Sequence, residues 1–332
     1  MSSSSVPLSI LDLASVGEGE TIADSFEGSV ALARRAEDLG YRRVWYAEHH
    51  NIASIASSAT AVLIAHVAAH TERIRLGAGG IMLPNHSPLT IAEQFGTLET
   101  LHPGRIDLGL GRAPGTDQNT FRAMRRDPAA SEHFPDDVIE LQRFLGDDDP
   151  IPGVRAIPGK GTKVPLYILG SSLFGAQLAA ALGLPYGFAS HFAPHALHRA
   201  VDLYRERFEP SAQLDHPHVI AGVNVIIADT DEAAQAQLLR SRRARVRALL
   251  GRDGRRWTDE EADRVLQSPQ AAQIEQMLTY SAVGTPTVVR DYLDDFQRHC
   301  SADELIVVHH ADSAASRLRS LELLAEAVDL ET

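Results

Sequence analysis

The residues able to do chemistry fall in a few short segments of the chain. Glu48-His49-His50 sets a carboxyl beside two imidazoles. An imidazole can take or lend a proton near neutral pH, and it is also a common metal ligand. Neighbouring residues on an extended segment point to opposite faces, so at most one of His49 and His50 can serve a given site. That favours proton handling or hydrogen bonding by one ring over a site with both rings on a metal. Gly79-Gly80 is either a tight exit from a strand or a place where a flat ligand meets bare backbone. Gly170-Ser171-Ser172 precedes an apolar helical pattern, and a serine there often does no more than cap its own helix. The same backbone N–H groups and hydroxyls can instead receive a phosphate, with Arg112 as a charge-assisted partner. Together Arg112, Gly170, Ser171 and Ser172 point to a phosphorylated cofactor. The chain has neither a G-x-G-x-x-G run nor a G-x-x-x-x-G-K run, so a mononucleotide is favoured.

Elements that must position these residues can be read from the hydrophobic pattern. Short apolar runs at 6–11, 44–47, 74–79, 106–110, 166–169, 186–189, 219–228 and 304–308 alternate with longer stretches of helical periodicity. One such helix follows Asp24 and Ser25 and another runs from Pro88 to Leu101. No hairpin signal separates the strands, so the order predicts parallel strands joined by helices. Eight of them without a long linker favour one closed (β/α)₈ barrel over an open sheet in two lobes. In such a barrel the active site lies at the C-terminal ends of the strands, where the segments above fall. Residues 1–332 then form a single domain with two insertions. One, at 113–163, follows the fourth strand. The other, at 251–283, is polar and placed where a lid would be, though a solvated excursion fits it equally well.

Composition narrows the function classes. The chain has 332 residues, with Lys+Arg 31 against Asp+Glu 44 and a net charge of −13, which disfavours sequence-independent binding to nucleic acid. A single cysteine, Cys300, leaves no disulfide framework or Cys-rich zinc module and suits a reducing compartment. The sequence shows neither a signal peptide nor a membrane span, so a cytoplasmic protein is expected.

Several motifs in order resemble the bacterial-luciferase-like flavin monooxygenases. They are Val44-Trp45-Tyr46-Ala47-Glu48-His49-His50, Ile74-Arg75-Leu76-Gly77, the run 80–88, the run 103–112 ending in Gly111-Arg112, Leu169-Gly170-Ser171-Ser172, and Val283-Gly284-Thr285-Pro286. The resemblance spans nearly the whole chain and is nearest to the single-chain luciferase-like oxidoreductases. It implies a (β/α)₈ fold, reduced FMN delivered by a separate NAD(P)H-flavin reductase, dioxygen as oxidant, a flavin C4a-hydroperoxide, a small organic substrate such as an aldehyde or natural-product intermediate, and a homodimer. Carried over by position, His49 matches the active-site histidine. Gly79-Gly80 matches a pair joined by a cis peptide under the flavin, and Arg112 and Ser171 match phosphate contacts. Gly111 stands where luciferase has a reactive cysteine. Ile81, Met82 and His191 are the expected substrate-pocket residues, with Leu83 adding to an apolar wall, and no metal is expected.

Other readings stay open on the sequence. A deazaflavin-dependent oxidoreductase of the same superfamily is one, and a flavin-binding barrel without turnover is another. A metal-dependent hydrolase using His49, His50, His309 and His310 is the third.

Overall fold

The computed structural model describes residues 6–113, 115–250 and 257–330. Its strands are β1 (Leu8–Asp12), β2 (Arg43–Tyr46), β3 (Arg75–Met82), β4 (Ile106–Gly111), β5 (Leu166–Gly170), β6 (Tyr186–Phe188), β7 (Val219–Ile227), β8 (Ser281–Gly284) and β9 (Glu304–His309). Between and after them run α1 (Ile22–Asp38), α2 (Thr60–Ala68), α3 (Pro88–Leu101), α4 (Gln118–Ala123), α5 (Phe134–Leu145) and α6 (Leu173–Leu182). The second half carries α7 (Leu197–Arg207), α8 (Asp231–Leu250), α9 (Asp259–Leu266), α10 (Ala271–Met277), α11 (Pro286–Cys300) and α12 (Ala314–Val328).

Every strand pairing is parallel. Sequential pairs run from β1 to β7, and β9 lies between β7 and β1, closing an eight-stranded (β/α)₈ barrel. Its eight strands fall on the eight apolar runs of the sequence. β8 is an addition that the sequence pattern did not suggest. It pairs with the far end of β7, Asn224 opposite Ser281 through Ile227 opposite Gly284, beyond the reach of β6. Four small residues are too few to show a strand period, and only the exposed edge of the long β7 makes them one.

Helix starts follow local capping. The first helix begins earlier than Asp24 and Ser25 suggested. Thr21 is its N-cap and accepts from the Asp24 amide, while the Asp24 carboxylate accepts from the Thr21 amide at 2.7 Å. Ser87 caps α3, with Pro88 as the first helical residue. Pro114 and the first six residues of the polar segment 251–283 lie outside the described residues; the remainder of that segment forms α9, α10 and most of β8. Among the described residues no helix is long and apolar enough to cross a membrane.

Alternate strand residues face outward and bury against the helices, as Val44, Leu76, Leu108 and Ile168 do in the main core. Those facing inward behave differently at the two ends of the barrel. Near the N-terminal end the interior is charged. Arg43, 1% exposed, donates from Nη1 to Asp107 at 2.7 Å and to the Tyr167 hydroxyl at 2.7 Å, and from Nη2 to Glu304 at 3.1 Å. Arg75 Nε reaches the same Asp107 at 3.1 Å, and Ser9 donates to Glu304 at 2.5 Å. Burial alone would favour a neutral Arg43, but the two carboxylates outweigh it and raise its pKa. Above this layer lies the Trp45 indole, whose Nε1 donates to Asp107 at 3.1 Å. It lies against β3 because Gly77 and Gly79 have no side chains there. A Cβ on either would come within 2.9 Å of Trp45.

Replacing Arg43 by Met would leave Asp107 and Glu304 buried with less compensation. Urea denaturation of Arg43→Met should show a loss of about 3–5 kcal/mol. A loss below about 1 kcal/mol, the scale of an exposed pair, would show that the interior does not rest on this cluster.

Candidate active site

The inward positions change character toward the C-terminal ends of the strands. After Trp45 come Ala47 and His49; β4 offers Gly111; the sequence after β6 offers Ala189 and His191. Side chains this small cannot fill the barrel, so a cavity of about 1160 Å³ opens above a floor of Leu11, Trp45, Ile220, Ile306 and Val308. That exceeds the ~300–1,000 Å³ usual for one small-molecule site and leaves room for a mononucleotide and a second small molecule. α8 covers one side through Gln237, Ser241, Ala244, Arg245 and Ala248, spaced as one helical face.

His49, Gly79, Gly80, Met82, Arg112, Gly170, Ser171, Ser172 and His191 all line this cavity. Ile81 does not, and Leu83 does not either. Both belong to the core between barrel and helices, at 2% and 0% exposure. The reason is a register shift in the β3–β4 pair. Ala78 opposes Leu108 and Ile81 opposes Leu110, so Gly79 and Gly80 together face Gly109 alone. The extra residue reverses the alternation and turns Met82 inward and Ile81 outward. Gly79 and Gly80 are joined by a cis peptide.

Glu48 and His50, adjacent to His49 in sequence, are separated from it in space. Glu48 is buried and accepts from His50 at 2.8 Å, His86 at 2.9 Å, Asn85 at 3.0 Å and the Met82 amide at 2.9 Å. Burial would push its carboxyl up, yet these hydrogen bonds, chiefly those from His50 and His86, bring it down to about 2. Glu48 therefore fastens the end of β2 to the segment after β3. His49 turns the other way. Burial lowers its pKa, opposed by a hydrogen bond to the Gly115 backbone and by the Glu48 charge, so the ring is neutral at neutral pH.

One edge of the cavity is shaped for an anion. Ser172 is the N-cap of α6, but its side chain makes no capping hydrogen bond, and the Ser171 hydroxyl has no partner among the described residues. The first-turn N–H groups of α6 and both hydroxyls are thus left for a ligand. The Arg112 guanidinium lies 4.3 Å over the Phe174 ring, in the first turn of the same helix. A phosphate monoester fits this set, which neither serine uses to cap the helix. Cys300 is buried at the end of α11, away from the cavity, and burial pushes its thiol up to about 11. The cavity meets Gly111 instead.

Across the mouth from Arg112 lies a second polar group that the sequence reading only partly caught. Asn224, in the otherwise apolar run of β7, accepts from His310 Nε2 at 2.7 Å. Its amide nitrogen donates to the backbone carbonyls of His191 at 2.8 Å and Tyr280 at 3.2 Å. A lone Asn inside VIAGVNVII was the available signal. Arg245 had none, because nothing in the sequence tells which of the α8 arginines that line the cavity lacks a carboxylate beside it. The four histidines of a metal site are not brought together. His49 and His310 line the cavity, whereas His50 turns to Glu48 and His309 bonds Ser320 at 2.7 Å on the outer face. Among the described residues no group of three or more His, Cys, Asp or Glu side chains could hold a metal ion.

The architecture defines a class, a (β/α)₈ barrel with a deep small-molecule site at the C-terminal ends of its strands. The chain belongs to the luciferase-like monooxygenase family, whose model matches residues 7–300. A luciferase-like monooxygenase of Escherichia coli (strain K12) is 47% identical over 325 residues, which cover 97% of each chain. The uncharacterized protein YvbT of Bacillus subtilis (strain 168) is 50% identical over 322 residues, 96% of each. The crystal structure of apo-MsnO8 matches with a TM-score of 0.88 at 38% identity, covering 98% of each chain. At 18% identity the fold is shared with the oxygenating constituent of 3,6-diketocamphane monooxygenase from Pseudomonas putida in complex with FMN, TM-score 0.73, covering 97% of each chain. It is also shared with the coenzyme F420 dependent tetrahydromethanopterin reductase of Methanopyrus kandleri, TM-score 0.68, covering 98% of each chain at 18% identity.

Buried neutral histidines make stability depend on pH. Burial, with Arg245 and His49 nearby, brings His191 down to about 3 from 6.5, and burial with Arg317 nearby does the same for His309. The unfolded chain therefore binds protons that the native state refuses, and stability falls as pH drops through this window. Urea midpoints should be level above about pH 7 and decline from about pH 6.5 to pH 4.5, before carboxylates contribute. His309→Asn should flatten that decline. An unchanged slope would show that His309 titrates alike in both states.

Proposed function

We propose that this protein is an FMN-dependent monooxygenase that receives reduced FMN from a separate NAD(P)H-flavin reductase and oxidises a small organic substrate with dioxygen. The observation that carries the reading is the pairing, within one cavity, of the anion-shaped edge at Arg112, Ser171 and Ser172 with the half-buried neutral ring of His49 above an apolar floor. Membership of the luciferase-like family supports it. The lack of a dinucleotide fingerprint agrees with an electron supply made elsewhere.

Each residue then has a physical task. Arg112, Ser171, Ser172 and the first turn of α6, with Gly170 leading into it, hold the phosphate. Gly79, Gly80 and Gly111 present backbone rather than side chains, which lets a flat ring lie against the wall. Leu11, Trp45, Ile306 and Val308 keep the floor dry, and α8 shields it from one side. In the neutral His49 ring the hydrogen bond to the Gly115 backbone engages the N–H nitrogen, so the other nitrogen carries a lone pair that can take a proton from the reacting region and then give it back. Met82 and His191 border the space left for the substrate. When bound, reduced flavin supplies the electrons by which one atom of dioxygen enters the substrate and the other leaves as water.

Two measurements test this. Apo protein titrated with FMN, riboflavin and a deazaflavin should prefer FMN over riboflavin by about tenfold or more, and Arg112→Ala should remove that preference. Equal binding of FMN and riboflavin, or tighter binding of the deazaflavin, overturns the cofactor assignment. For His49→Asn, peroxide released on mixing bound FMNH₂ with oxygenated buffer should appear at least about tenfold faster than from wild type, on the scale of a lost proton-transfer group. The same release rate in both proteins removes His49 from the mechanism.

A further inference from the structure

α8 carries five arginines, and four of them face carboxylates. Arg240 meets Asp312 at 2.9 Å, Arg242 meets Glu275 at 2.8 Å, Arg243 meets Asp263 at 2.6 Å, and Arg247 pairs with Asp259. Arg240, Arg243, Arg245 and Arg247 all line the cavity, and among the described residues Arg245 is the one of them with no carboxylate partner. Its Nη2 lies 3.4 Å from Asn224 Oδ1 and 3.3 Å from His310 Nε2, both on neutral groups. Asn224 gives its amide hydrogens to two backbone carbonyls, so its Oδ1 is an acceptor, and the His310 Nε2 that approaches it carries the hydrogen. Neither group can neutralise Arg245. The buried Nε has no hydrogen-bond partner, and Nη1 makes no bond to the described residues. Burial lowers the guanidinium pKa only to about 10, so the charge persists at neutral pH.

A half-buried guanidinium with no carboxylate beside it is costly to hold unless a ligand completes it. The group sits at the ends of β7 and β9, and β9 lies four strands around the barrel from β4, the strand that carries Arg112. One phosphate cannot serve both edges. We propose that Arg245, positioned by its hydrogen bond to the Asn224 Oδ1 that His310 also holds, pairs with a carboxylate of the organic substrate, so that the enzyme acts on small organic acids and not on neutral molecules of the same shape. The single guanidinium, with Nε and Nη1 unused, suits a monoanion held by a charge-assisted hydrogen bond. The inference rests on the reading above only in placing the substrate in the same cavity as the flavin.

The test is calorimetric titration of the FMN-loaded protein with hexanoate and hexanamide, which share size and shape and differ in charge. Wild type should bind hexanoate at least about tenfold more tightly than the amide, as expected for one buried charged hydrogen bond. Arg245→Gln should bring the two within about twofold while leaving FMN affinity, read by flavin fluorescence, unchanged within about twofold. Arg245→Lys should keep part of the preference, which guards against a misfolded glutamine variant. Equal binding of acid and amide by wild type overturns the proposal, as does a preference that survives Arg245→Gln. Joint loss of FMN and hexanoate binding in a folded Arg245→Gln variant also overturns it, because the guanidinium then serves the flavin. If wild type binds no FMN but still prefers hexanoate, the flavin reading fails and the carboxylate site stands.

Discussion

The charged cluster of Arg43, Asp107 and Glu304 fixes which half of the barrel is solid. One guanidinium joins carboxylates from β4 and β9, strands on opposite sides of the ring, and Tyr167 of β5 completes the span. A bond set that reaches across the interior ties down the strands that would otherwise meet only their neighbours. Trp45 seals the layer above by lying against the glycines of β3. The cavity then opens above Trp45, where inward positions include glycine and alanine.

That cavity has two polar edges of different character. At the ends of β4 and β5, an arginine and an uncapped helix start face it with unused donors. At the ends of β7 and β9, a neutral Asn–His pair holds a guanidinium that has no carboxylate among the described residues. Between them, His49 after β2 and His191 after β6 face one another across the mouth. Desolvation in this wall favours the neutral form of both imidazoles, so neutral rings and guanidiniums occupy separate parts of one volume. The elements beyond β7 add the cover, since β8 extends the sheet and α8 lays one face over the opening.

Much of this was legible in the chain, for identifiable reasons. The barrel strands were readable because each is a short apolar run, buried on both faces, bounded by helical periodicity. His49 was readable as an inward residue through simple alternation from Trp45 and Ala47. The sequence left Ser171 and Ser172 as either helix caps or ligand donors, and the fold shows that the Ser172 side chain makes no capping bond to α6. Ile81 departs from simple alternation because the pairing gains a residue at Gly79-Gly80 and reverses face, which no local pattern signals. The first helix starts before Asp24 because Asp24 is not a preceding cap but the third helical residue of a Thr21 capping box.

The sequence by itself determined the fold class and the residue types at the C-terminal ends of the strands, where the cavity opens, since these depend on periodicity and chemical identity along the chain. Only the tertiary structure decided which neighbours share a site. It turned Glu48 away from His49 and His309 away from His310, set Ile81 behind the wall, and chose Arg245 from five arginines on one helix. The physical reason is that charge compensation and facing are relations between strands and helices distant in sequence. A guanidinium is paired or unpaired only once the folded chain has placed the carboxylates around it.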